Sequence, residues 1–79
     1  SDPELRNLLG ATAMRAGRPQ VAVTVFAALA SEFPKAVEVK LALAQAHQLQ
    51  RQFAAAGQVL EPARQLAPAD ARVLAQLGD

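Results

Sequence analysis

The sequence predicts an all-α fold: a right-handed α-solenoid of antiparallel helix–turn–helix hairpins, five helices with the fifth cut short. Three observations predict it. The first is a repeat. Leu9-Gly10 returns as Leu43-Ala44 and as Leu77-Gly78, while Ala22, Val25, Phe26 and Pro34 return as Ala56, Val59, Leu60 and Pro68, always at the spacing that separates Leu9 from Leu43. A fixed period of roughly 20–50 residues marks stacked supersecondary units. The second is apolar spacing at i, i+3, i+4 and i+7, the mark of a helix with one buried side. The third is punctuation, because Pro3, Gly17, Pro19, Pro34 and Pro68 stand where helices of this length start and stop.

The first helix is expected from Pro3 to Ala16. Asp2 offers a side-chain acceptor at the N-cap, Pro3 supplies a fixed φ, and Glu4 suits the positive end of the helix dipole. Leu5, Leu8, Leu9, Thr12 and Ala16 form its buried stripe, while Asn7, Ala11, Met14 and Arg15 lie on another face. Gly17 suits a left-handed cap.

Pro19 opens the second helix. Val21-Ala22-Val23-Thr24-Val25 has the local look of a strand. The apolar run continues to Ala30, however, and its counterpart, Ala55-Ala56-Gly57-Gln58-Val59, has no strand character. A helix ending at Phe33-Pro34 satisfies both copies.

The third helix runs from Ala36 to Gln50 and places Val39, Ala42, Leu43 and Ala46 on its buried stripe. Arg51-Gln52 replaces Gly17-Arg18 as the turn. The fourth, Phe53 to Leu66, buries Ala56, Val59, Leu60 and Ala63. Pro62 cannot donate to the Gln58 carbonyl, so a kink is expected there with Ala63–Leu66 still helical. Pro68 ends this helix and Asp70 caps a fifth, in which Val73 and Leu77 take buried positions. Repeat boundaries follow at 3–36 and 37–70, with a partial third unit at 71–79.

Composition excludes several function classes. Hydrophobic residues make up 52% of the chain, but only Phe26, Phe33 and Phe53 are aromatic, so the helices pack closely through alanine. Eight basic residues against seven acidic ones give +1, too balanced for a footprint on nucleic acid or anionic lipid. Cysteine is absent, which excludes disulfides and thiolate metal sites and leaves the compartment open. No apolar run approaches the roughly 18 residues of a membrane span. Ser1-Asp2-Pro3 lacks the blocks of a signal peptide. The chain reads as a piece of something longer, and its arginine- and alanine-rich usage points to a bacterial source.

No catalytic constellation emerges. His47, the single histidine, has no nearby nucleophile and no spacing partner for a metal. Glu4, Glu32, Glu38 and Glu61 do not converge on a common site. Ser1, Thr12, Thr24 and Ser31 have no triad context, and Gly10 and Gly78 follow no strand. Glu61 and Arg64 read as a solvated helix pair. No enzyme activity, cofactor or metal is expected.

The chain resembles the tetratricopeptide-repeat family, whose signature is W-x2-L-G-x2-Y…A-x3-F…P in a helix–turn–helix unit. It reads Arg6-x2-Leu9-Gly10-x2-Ala13…Ala22-x3-Phe26…Pro34, then Lys40-x2-Leu43-Ala44-x2-His47…Ala56-x3-Leu60…Pro68, with Leu74-x2-Leu77-Gly78 beginning a third copy. The small residues Gly10, Ala44, Ala22 and Ala56 fall where paired helices cross, and Phe26 or Leu60 fills the space between hairpins. The Trp and Tyr positions hold Arg6, Ala13, Lys40 and His47 instead, which removes bulky filler.

The resemblance implies a non-catalytic protein-interaction or scaffold module whose first helices line a concave groove. The groove positions are Asn7, Ala11, Met14 and Arg15, then Leu41, Gln45, Gln48 and Leu49, a face suited to a peptide or helix with apolar anchors. The family's carboxylate clamp is not reproduced, since Asn7, Ala11, Ala42 and Gln76 lack its charges. A protein or peptide partner is therefore expected, and self-association would cover Val21, Val23, Val25 and the end faces. The alternatives are a recruitment or oligomerisation appendage of a larger enzyme, and an RNA-binding helical repeat, which Gln45, Gln48 and Leu49 do not support.

Overall fold

A computed structural model describes residues 3–76. Asp2 as a cap, and Leu77 and Gly78 as the start of a third copy, lie outside the described residues. The described chain is all-helical, with α1 (Pro3–Arg15), α2 (Pro19–Glu32), α3 (Val37–Leu49), α4 (Phe53–Leu66) and α5 (Ala71–Gln76). Val21–Val25 is helical, as the repeat requires. α4 continues through Pro62 to Leu66, and the Ala67 amide closes on the Ala63 carbonyl at 2.9 Å. The Asp70 carboxylate accepts the Arg72 amide at 2.9 Å and so caps α5.

Each helix packs on its neighbours in sequence, α1 on α2, α2 on α3 and α3 on α4, with α5 against α3 and α4. Two apolar clusters result. One joins Ala13 of α1, Ala22, Phe26 and Leu29 of α2, and Leu43 and Ala46 of α3. The other joins Leu41 and Ala44 of α3, Ala56, Leu60 and Ala63 of α4, and Val73 of α5. Phe26 and Leu60 thus hold the same place in successive hairpins, and Val23 and Val25 already pack against the first cluster without a neighbouring subunit.

α1 departs from expectation. Its predicted stripe faces solvent: Leu5, Leu8 and Leu9 are 65%, 57% and 54% exposed, and Thr12 and Ala16 are exposed too. Gly10 and Ala13 are buried instead. Position in the stack is the physical reason. Leu43, one repeat after Leu9, is buried beneath α2, and no described helix lies on that side of α1. What α1 turns toward α2 is its small-residue edge.

Both hairpin turns close in the same way. The Arg18 amide donates to the Ala13 carbonyl at 2.8 Å and the Gly17 amide to Met14 at 3.2 Å, around a left-handed Gly17 with φ 76°. Gln52 to His47 and Arg51 to Gln48, both 2.9 Å, repeat this Schellman pattern, and Arg51 takes the left-handed position at φ 60°. A side chain there costs about 1 kcal/mol of steric strain. Arg51→Gly is therefore expected to raise stability by roughly 0.5–1 kcal/mol in urea titration. A loss of stability would mean that the arginine side chain contributes more than its backbone costs.

The Arg6 guanidinium, on the family's Trp position, reaches the carboxylate of Glu32 at the far end of α2. The hydrogen bond between them holds the Glu32 carboxyl below its ordinary range and raises Arg6. At Asp70 the hydrogen bonds from the Arg72 side chain and amide lower the carboxyl in the same sense. In each pair one partner is exposed (Glu32, Arg72) and the other half-buried (Arg6, Asp70), and ion pairs at a surface contribute little to stability. Glu61 and Arg64 form the expected exposed pair at 3.0 Å.

Candidate functional site in the groove between α1, α3 and α5

Successive first helices lie side by side, so residues on their common edge line one depression. Asn7, Ala11, Met14 and Arg15 of α1 meet Ala42 and Gln45 of α3 around a cleft of about 450 Å³, with Phe26 at its floor. Its apolar character comes from Ala11, Met14, Phe26 and Ala42, while Asn7, Arg15 and Gln45 supply polar groups. Arg15, exposed, forms no ion pair among the described residues.

A second cleft, of about 420 Å³, adjoins the first. It shares Ala42 and Gln45 with it and adds Glu38 and Leu41 of α3 with Arg72 and Gln76 of α5. Glu38 and Arg72 approach to 4.0 Å across its mouth, although Arg72 is engaged mainly by Asp70 at 2.8 Å. The two clefts form a continuous trough from α1 to α5, positive at the α1 end and mixed in charge at the other.

Of the eight sequence-predicted groove residues, Asn7, Ala11, Met14, Arg15 and Gln45 line the first cleft. Leu41 lies along the second but is 6% exposed and belongs to the core beneath α5. It therefore serves packing and presents almost no surface to a ligand. Gln48 is half-buried, and its amide donates to the Gln76 carbonyl at 3.3 Å, tying α3 to α5. Leu49 is 56% exposed and lines neither cleft.

Phe26, Ala42, Glu38, Arg72 and Gln76 also line the trough; of these the sequence pattern sets only Ala42 and Gln76 on groove faces, at the uncharged clamp positions, and does not single out Phe26, Glu38 or Arg72. Phe26 and Ala42 read from periodicity as core, yet each presents an edge to the cleft. Glu38 and Arg72 do carry a signal. They stand one repeat apart and are opposite in charge, so stacking in register brings them together.

His47 is half-buried and shares a 2.9 Å hydrogen bond between its Nδ1 and Gln52 Oε1 across the α3–α4 turn. No cluster of three metal-ligating side chains occurs among the described residues, and no described helix is long and apolar enough to cross a membrane.

A family model described as a tetratricopeptide repeat matches residues 13–78. Neither curated proteins nor solved structures return a match.

Proposed function

The chain belongs to the tetratricopeptide-repeat family, and from that premise we propose that it is a non-catalytic scaffold module holding a partner segment in the trough along α1, α3 and α5. Repeats of this family generally mediate protein–protein interaction, and the family is typically non-catalytic. We read the repeat units as residues 3–36, 37–70 and a partial unit at 71–79, with the partner running across the first helix of each. The partner class is protein or peptide rather than nucleic acid, because the trough carries polar amides and few cations. The observation that carries the reading is the cleft itself. Apolar side chains line it, and Asn7, Arg15 and Gln45 supply groups that can orient a peptide.

The test uses peptides selected from a random library against the chain. Ala11→Arg with Gln45→Arg introduces two long side chains into the cleft without touching a fully buried residue. Affinity by fluorescence anisotropy is expected to fall about tenfold or more, roughly 1.4 kcal/mol, with helicity retained. Selected peptides that bind the variant and the parent equally well would remove the trough as the site.

A further inference from the structure

We propose that the outer face of α1 is a self-association surface on which a second copy of this chain lays its own α1 antiparallel. The proposal concerns the side of α1 that carries its leucines and does not depend on the groove reading. Leu5, Leu8 and Leu9 stand in one row, each more than half exposed, and Thr12 and Ala16 continue that row, also exposed. Their counterparts in the next repeat, Leu43 and Ala46, are covered by α2, and Val39 and Ala42 pack against the same cluster. The α1 row is thus the kind of surface that α2 covers elsewhere in this fold, with larger side chains and no cover among the described residues. Three such leucines make a patch on the order of 300 Å², the size at which contiguous exposed apolar area marks an interaction site.

Side-chain size along the row says what fits it. The leucines occupy the N-terminal half and the small residues the C-terminal half. With a rise of about 1.5 Å per residue, an antiparallel copy brings Leu8 and Leu9 of both chains to the centre. It also seats Leu5 between Thr12 and Ala16 of the other copy, large against small at both ends. A parallel pair would set Leu5 against Leu5 and leave a gap at Ala16. An isologous contact requires this self-complementarity.

Charge agrees with the same orientation. Glu4 and Arg15 are eleven residues apart, close to three turns, and so flank the same edge of the row. A two-fold axis across antiparallel helices keeps that edge aligned and sets Glu4 opposite Arg15 of the other copy, twice. The buried area, ~600 Å² from the two rows, falls short of the ~1,200 Å² of stable complexes, so the dimer is weak and reversible.

Sedimentation equilibrium of the 79-residue chain up to millimolar concentration tests this, with circular dichroism as the check on folding. The chain is expected to show a reversible monomer–dimer equilibrium, and Leu8→Glu with Leu9→Glu to remain monomeric at every concentration with helicity unchanged. Glu4→Arg is expected to weaken dimerisation several-fold, and Glu4→Arg with Arg15→Glu to recover it. A parent chain monomeric throughout, or a dimer indifferent to the two glutamates, would overturn the surface. A double charge reversal that recovers nothing would overturn the antiparallel pairing.

Discussion

Gly10→Ala is expected to destabilise the fold by about 2 kcal/mol, an effect out of proportion to a single methyl group on a helix. On intrinsic propensity alone the substitution would stabilise α1 by up to about 1 kcal/mol, because alanine is the better helix former. Contact reverses the sign. A Cβ at Gly10 would stand 2.6 Å from Phe26 Cζ and 2.9 Å from both ring Cε atoms. The ring cannot retreat easily, since Phe26 is 2% exposed and wedged between α1 and α3.

The second hairpin holds the solution to the same problem. There the equivalent pair is Ala44 with Leu60, a larger residue on the first helix and a smaller one on the second. Phe26→Leu alone should cost about 1 kcal/mol through the space it leaves. Gly10→Ala with Phe26→Leu should cost clearly less than the two singles added, with a coupling of at least about 0.5 kcal/mol in a double-mutant cycle by urea denaturation. Strict additivity would show that Gly10 is not there to make room for the ring.

The second large effect separates two residues that the repeat makes equivalent. Leu43→Ala is expected to cost about 2–5 kcal/mol, the usual range for a leucine enclosed in a core. Leu43 is 6% exposed and packs among Phe26, Leu29 and Ala46. A domain of this size has roughly 4–12 kcal/mol in total, so the variant should melt far below the parent or not fold. Leu9→Ala should change the stability of the dilute chain by less than about 0.5 kcal/mol, because Leu9 is 54% exposed. Thermal and urea melts of the two variants side by side decide it. Equal losses would mean that Leu9 is covered in solution even at low concentration.

The contrast between Leu9 and Leu43 shows where sequence reading stops. Periodicity places both on an apolar stripe, since the 3.6-residue turn depends only on the order of residues along one helix. Whether a stripe is buried depends on a second helix arriving there, which the local pattern does not encode. α2 arrives at Leu43; no described helix arrives at Leu9. The groove reading divides for the same reason. Asn7, Ala11, Met14, Arg15 and Gln45 share a cleft, but α5 packs over Leu41, its Gln76 carbonyl holds Gln48, and Leu49 lies outside both clefts.

The amino-acid order by itself determined the helices, their turns and the register of the repeat, because proline, glycine and apolar spacing act within a few residues of chain. Only the tertiary structure decided that Gly10 is obligatory against Phe26, that Arg51 adopts the left-handed turn of Gly17, and that Arg6 pairs with Glu32. It likewise decided that α1 turns its leucines outward. Each of these depends on the distance between helices remote in sequence, or on one turn copying another's closure, and neither follows from the residues of a single segment.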